Sequence, residues 1–333
     1  MRNLDDITSI DSVEIKQLET ATFLPLLITP KRPDIDIATF VKQNEELINS
    51  YLIKYGGILF RGFNVDSQEK FNRFLDINCS EILEYNESSS PRTEVGNKVY
   101  TSTDFPNDQV ILQHNELSYS SVWPMKIWFC SVTPAKQGGE TPISDVRQVY
   151  KKLDPKIRDI FSQKGWMLVR NYGDGFGLPW QEVFHTENKK EVEKYCERHG
   201  IQVEWKDGNR LRTSQIRKAI RQHPISGEFV WFNHAAFWHE SSLKADIREM
   251  LISLLGREGL PYNTYYGDGT PIEDSIIETI REVYDSETVM FPWKKGDLLM
   301  LDNMLAAHGR NSYIGERKTL VSMGEPYDSR ELL

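Results

Sequence analysis

Cysteine is scarce in this chain of 333 residues: Cys79, Cys130 and Cys196 stand far apart, odd in number, with no C-x-x-C pair. That excludes a disulfide framework and a thiolate zinc site, and it makes a reducing cytoplasm the expected setting. Apolar runs long enough to cross a bilayer are missing too, so no membrane partner is expected. The first residues, Met1-Arg2-Asn3-Leu4-Asp5-Asp6, carry charge where a secretory leader would be apolar, and none is expected. Basic residues are outnumbered by acidic ones, 40 to 49. The net charge of −9 disfavours generic binding to a phosphate backbone, which excludes nucleic acid as the expected partner. Neither repeats nor low-complexity tracts break the chain. What remains is the composition of a globular protein able to bury a sizeable core, read as a single domain over 1–333.

The patterns along that domain are α+β. Residues 1 to about 35 are polar, and Pro25, Pro30 and Pro33 interrupt any helix, so an extended lead-in is expected. From Asp36, a suitable N-cap, to Tyr55 apolar residues such as Phe40, Ile48 and Leu52 define one helical face, stopped by Gly56-Gly57. A buried strand follows from Ile58, then a helix from Gln68 to about Cys79. The stretch 95–144 is strand-like, most clearly at 123–130. Helices are predicted over 146–153, 155–164, 188–199, 243–255 and 271–284, the last opened by the capping box Thr270-Pro271-Ile272-Glu273. Strands are predicted at 166–171, within 223–233, and again from Phe291 onward. Strands at both ends with helices between them predict a double-stranded β-helix, or jelly roll, with an insertion-rich region from about 145 to 290.

The chemistry centres on Gln113-His114-Asn115-Glu116-Leu117. On an extended segment, side chains two apart point the same way, so His114 and Glu116 are expected on one face. The best third ligand is His308, which follows the strand-like run 296–303 after a turn of small residues. Two imidazoles and one carboxylate on one side of a metal leave three adjacent positions open, the facial triad of non-haem Fe(II) oxygenases. Among the other histidines, His185, His199 and His223 read as packed or solvated. His234 and His239 sit on an aromatic segment and read as pocket-lining, since no acid stands at a ligand offset before them. A local basic stripe at 210–221 has two readings: a solvated helix face, or a surface for an acidic partner or a carboxylate.

The chain resembles the taurine dioxygenase (TauD/TfdA) family of Fe(II)/2-oxoglutarate oxygenases, and within it the SyrP-like enzymes of nonribosomal peptide pathways. The resemblance runs from about Tyr55 onward. It is carried by His114-Asn115-Glu116-Leu117-Ser118-Tyr119, Trp123-Pro124-Met125-Lys126-Ile127-Trp128-Phe129 and Gln137-Gly138-Gly139-Glu140-Thr141-Pro142. Leu211-Arg212-Thr213, Val230-Trp231-Phe232-Asn233, Asp302-Asn303-Met304 and Ala307-His308-Gly309-Arg310 extend it. It implies that His114, Glu116 and His308 bind Fe(II), that Thr141 gives a hydroxyl to the co-substrate, and that Arg317 grips its distal carboxylate, with Arg310 as the fallback. A guanidinium suits that job because it meets a carboxylate with two parallel donors. The second arginine that holds a sulfonate in taurine dioxygenase has no counterpart here, where Val321 or Ser322 stands. A sulfonate substrate is therefore not expected.

The resemblance further implies O2-dependent hydroxylation or desaturation of an unactivated C–H, since a halogenase would replace Glu116 by a small residue. SyrP-like enzymes commonly hydroxylate an amino acid, often at Cβ, while it is tethered to a carrier protein. On that model Arg212 and Arg217 contact the acidic carrier or the phosphate of its arm, Asn233 fixes the aminoacyl group, and Trp231, Phe232 and Trp238 supply dry walls. The rival readings are the same chemistry on a free amino acid or small acid, a zinc hydrolase using the same donors, and a non-catalytic jelly-roll binding module.

Overall fold

A computed structural model describes residues 10–18, 23–83, 87, 94–96, 99–101 and 105–332. Its spine is an eight-stranded sheet in the order Val13–Gln17, Leu26–Pro30, Gly57–Phe60, Leu298–Asp302, Val122–Thr133, Lys318–Asp328, Val99–Thr101, Glu94–Gly96. All neighbours are antiparallel except Leu26–Pro30 beside Gly57–Phe60. Alternation along the central strands divides the core in two. Trp128, Cys130, Leu298, Met300 and Leu320 face the N-terminal helices, while Ile127, Phe129, Leu299, Leu301 and Val321 face the rest of the molecule. Over that second face lies a three-stranded sheet, Ile111–His114, Ala306–Arg310, Ile143–Asp145. A four-stranded sheet, Ile201–Lys206, Arg210–Arg217, Trp166–Tyr172, Tyr262–Tyr266, forms within the insertion-rich region.

Several expectations change on contact with this fold. The lead-in is not merely extended: Val13–Gln17 and Leu26–Pro30 join the large sheet and bury Val13, Leu26 and Ile28. Pro30 is no obstacle because it ends its strand and donates nothing to the ladder beyond. The helix from Asp36 is two helices, Ile37–Gln43 and Glu45–Tyr55. Asn44 separates them by donating its side-chain amide to the Phe40 carbonyl at 2.8 Å, a local bond that competes with helix continuation. Asp36 caps the first, accepting from Thr39 N at 3.0 Å, and Gly56 at φ +81 ends the second.

The capping box before the last helix is not used. Thr270 turns back onto Asp268, its N–H and hydroxyl both donating to Oδ1 at 3.0 and 2.6 Å, and the helix begins later, as Asp274–Glu287. The basic stripe is strand rather than helix for most of its length. Arg210–Arg217 alternates Leu211, Thr213 and Gln215 inward, and its neighbouring strands hold both edges. Among the described residues, no helix is long and apolar enough to cross a membrane.

Candidate active site

His114 is the last residue of its strand and stands opposite His308 in the antiparallel ladder, so the two imidazoles face each other with ring centroids 4.6 Å apart. Glu116 joins them by a different route from the expected strand alternation. The strand has ended, Leu117 takes φ +55, and the backbone closes with Ser118 N to Asn115 O at 3.2 Å and Ser120 N to Leu117 O at 2.8 Å. This turn swings the carboxylate round until donor atoms of His114, Glu116 and His308 all lie within 4.8 Å of one another. His308 Nε2 is 3.8 Å from Glu116 Oε2. All three side chains are nearly sealed from solvent, at 9, 3 and 5 % exposure.

Asn303 and Asp302 hold this arrangement, although sequence reading assigned neither a role. Asn303 accepts from Glu116 N at 2.8 Å through Oδ1, and its Nδ2 donates to Glu116 O at 2.8 Å and Pro124 O at 2.9 Å. Asp302 Oδ1 accepts the N–H groups of Met304 and Leu305, shaping the turn that leads to His308. The advance signals were their place between the Leu298 strand and the distal histidine and their part in the family resemblance. His114 Nδ1 lies 2.9 Å from Leu112 O. A carbonyl can only accept, so the proton sits on Nδ1 and the Nε2 lone pair is left for a metal.

Around the imidazoles stand rings: Phe237 at 4.8 Å and His234 at 5.4 Å from His114, and Phe129 at 5.0 Å from His308. His234 is buried, with Nδ1 2.6 Å from Ser118 Oγ and Trp238 stacked on it at 4.5 Å. Burial drives its pKa well down, helped by neighbouring His114, so the ring is neutral and apolar in effect. Phe237 also lines a cavity of about 260 Å³, with Val110, Leu112, Tyr284 and Met290 among its other walls.

Thr141 is buried and precedes the strand whose Ile143 pairs with His308. Its hydroxyl accepts from Trp293 Nε1 at 3.2 Å, which leaves its own hydrogen for another oxygen. Arg317 donates through Nε to Gly139 O at 3.0 Å. The Gly-Gly turn makes this approach possible, because a Cβ on Gly139 would stand 3.0 Å from Arg317 Cδ and Nε. Burial, with Arg310 second, pushes the Arg317 pKa down to about 10, the direction expected of a cation in a dry place that an anion would relieve. Arg310 is otherwise engaged: its guanidinium donates to the carbonyls of Phe105, Pro106 and Gln109 and braces that loop.

The residues expected at the substrate are for the most part engaged within the fold. Asn233 spends its amide on backbone, donating to Ala219 O and accepting from Ala235 N, both at 3.0 Å. Trp231 is fully buried edge-on against Phe161, and Phe232, just past the strand, is fully buried on Trp123, so both fill core space. Trp238, by contrast, does stand behind the site. Arg217 points inward, donating to Tyr119 O and His199 O at 2.8 Å each, and Arg212 donates to Glu258 O at 3.2 Å. His223 is buried against Asp302, and His239 sits between Ile272 O and Ser241.

The family model described as taurine catabolism dioxygenase TauD, TfdA family, matches residues 19–323. The chain belongs to the TauD/TfdA family. It is therefore a dioxygenase that uses Fe(II), 2-oxoglutarate and O2. It is 39% identical over 306 residues to the dapdiamide synthesis protein DdaC of Enterobacter agglomerans, covering 92% of each chain. A clavaminate synthase-like protein of Arabidopsis thaliana is 29% identical over 329 residues, covering 92% of this chain and 95% of that one. Among solved structures, PvcB of Pseudomonas aeruginosa superposes with a TM-score of 0.58 at 14% identity, covering 97% of this chain and 94% of PvcB. At that identity the likeness concerns the fold.

Proposed function

We propose that this TauD/TfdA enzyme hydroxylates an unactivated C–H, at Cβ, of an amino-acid substrate in secondary-metabolite biosynthesis, with His114, Glu116 and His308 as its iron ligands. The observation that carries the reading is the convergence of two buried imidazoles and a carboxylate within 4.8 Å, one imidazole already committed to the tautomer a metal needs. Zinc would accept the same donors, but a zinc site leaves the half-buried Arg317 and the buried Thr141 without a task. The large sheet and the three-stranded sheet that faces it are, on this reading, the two halves of a double-stranded β-helix within one domain. The free thiols of Cys79, Cys130 and Cys196 fit a reducing cytoplasm.

When bound, iron and 2-oxoglutarate together supply the O2 chemistry that oxidises an inert C–H bond. The protein's share is placement. Arg317 would meet the distal carboxylate of 2-oxoglutarate with paired donors, and the Thr141 hydroxyl would give a further hydrogen bond. Leu112 O holds the His114 ring in orientation, while Asn303 holds the backbone of Glu116. Phe129, Phe237 and neutral His234 keep water from the triad, and a dry site confines oxidation to the hydrogen that the substrate presents. The cavity that Phe237 lines offers room for an apolar portion of the substrate.

Support for a biosynthetic substrate comes from a relative: DdaC is a dapdiamide synthesis protein. Whether the amino acid arrives on a carrier protein or free is a separate matter. Arg212 and Arg217, offered above as the carrier's contacts, are both tied to backbone carbonyls, and this favours a free amino acid or small acid as the second reading. Anaerobic Fe(II) with 2-oxoglutarate should produce a weak visible charge-transfer band that His308→Ala abolishes. Product mass shifts on free and carrier-loaded amino acids then divide the two readings. Absence of the band in the folded wild type would defeat the iron assignment.

A further inference from the structure

Segments far apart in the chain converge on Tyr119, Ser120 and Ser121, just beyond Glu116. The Tyr119 carbonyl accepts from Gln215 Nε2 at 3.0 Å and from Arg217 Nε at 2.8 Å. Ser121 Oγ lies 2.6 Å from His199 Nδ1, and Ser121 O accepts from the N–H and hydroxyl of Ser329 at 3.0 and 2.9 Å. The densest contact is with Glu87. Its carbonyl accepts from Tyr119 OH at 2.9 Å, and its Oε1 accepts from Ser120 Oγ at 3.2 Å and from Tyr195 OH at 2.9 Å. Glu87 is 3 % exposed. A carboxylate so placed, away from any active-site metal donor, is costly to bury and is retained only where its acceptors are used.

The turn that Glu87 grips is the one that aims the metal carboxylate. Leu117 holds φ +55, a left-handed conformation that a side-chain-bearing residue keeps only when its surroundings impose it. Asn303 imposes it from one side, at Glu116. On the other side His234 Nδ1 lies 2.6 Å from Ser118 Oγ, and Glu87 holds the next two residues, Tyr119 and Ser120. We propose that Glu87 is a positioning residue for the metal site: by fixing Tyr119 and Ser120 it completes a two-sided clamp that directs the Glu116 carboxylate at the paired imidazoles. The inference rests on the triad reading. It assigns to residue 87 and to the insertion elements bearing Tyr195, Gln215 and Arg217 a part in metal binding that their distance in sequence hides.

Co(II) titrated into the full chain without 2-oxoglutarate, followed by calorimetry and by its visible bands, tests this independently of turnover. Glu87→Ala should weaken Co(II) binding by about 10- to 100-fold, the usual cost of losing a residue that orients a ligand, and shift the bands. Glu87→Gln keeps an acceptor oxygen for Tyr195 and Ser120 and should stay within about 3-fold of wild type. Melting of the metal-free proteins is recorded alongside. A purely architectural role would lower the melting temperature of Glu87→Ala yet leave the folded protein's Co(II) affinity and bands unchanged, and that result overturns the proposal. Should Glu87→Ala not fold, Ser120→Ala removes only the hydroxyl linking carboxylate to turn, and unchanged Co(II) binding there is equally fatal. Wild type that binds no Co(II) sinks the triad reading itself; wild type that binds it, with Glu87→Ala its equal, sinks only the clamp.

Discussion

His223 Nε2 lies 3.1 Å from Asp302 Oδ2, and both side chains are buried. The proton can be assigned: His223 Nδ1 accepts from Ile225 N at 3.3 Å and Ser226 N at 3.0 Å, so Nε2 carries the hydrogen and donates it to Asp302. Asp302 in turn receives the N–H groups of Met304 and Leu305, which form the turn into the His308 strand. His223→Ala should therefore lower stability by about 1–3 kcal/mol, because it strands a buried carboxylate oxygen and two N–H groups. His223→Gln should recover part of that loss. Urea midpoints of the three proteins measure it, and an unchanged midpoint in the alanine variant would refute the role.

Arg317 permits a sharper kinetic statement. With its guanidinium against Gly139 O and the Tyr313 ring 5.6 Å away, it is held in orientation before any ligand arrives. Arg317→Ala should raise KM for 2-oxoglutarate by about 100-fold, since removing one partner of a buried charged pair costs several kcal/mol. Arg317→Lys should recover only part, because an ammonium cannot present two parallel donors. Arg310→Ala should instead act on stability, through the loop carbonyls it holds. If Arg310→Ala raised KM and Arg317→Ala did not, the co-substrate arginine would have to be reassigned.

What was legible beforehand follows from what is local. Asp36 caps its helix where expected, the helix from Gln68 starts as read, Trp123 to Cys130 reads as strand from its apolar run, and the side chains of His114, Glu116 and His308 come together. The route of Glu116 was illegible because a left-handed Leu117 has no sequence signal; leucine is a poor candidate for positive φ. The basic stripe misled for a related reason: arginines read as solvated cations, yet Arg217 finds carbonyl acceptors from residues 119 and 199 that only tertiary structure brings to it. The capping box failed because Asp268 competes for Thr270 at shorter range than the helix does.

His199 predicts an acid sensitivity. Burial, followed by Arg330, lowers its pKa from 6.5 to about 4. Between those values the unfolded chain binds a proton that the native state refuses, so stability falls as pH drops from about 6.5 and the loss is complete near pH 4. Above pH 6.5 the group contributes no slope. In His199→Gln this part of the dependence should disappear, and the difference between its urea midpoint and that of wild type should narrow steadily on acidification. Parallel curves across the window would exclude His199 as the source.

The same geometry that engages Arg217 separates docking from architecture. If Arg212 and Arg217 received a carrier protein, charge reversal at both would cripple turnover of a tethered substrate and spare a free one. The contacts argue otherwise. Arg217→Ala takes the donor from the His199 carbonyl and leaves the Tyr119 carbonyl with Gln215 alone, and about 1–3 kcal/mol of stability should go with it, whichever substrate is offered. Arg212 pairs with Glu258, whose side chain is 88 % exposed, and such pairs contribute about 0–1 kcal/mol, so Arg212→Glu should be nearly silent in both melting and turnover. Melting curves of the single variants, read beside rates on free and carrier-loaded amino acids, give the answer. A variant of either arginine that kept its melting temperature but lost only the tethered reaction would restore the docking surface and displace the free-substrate reading.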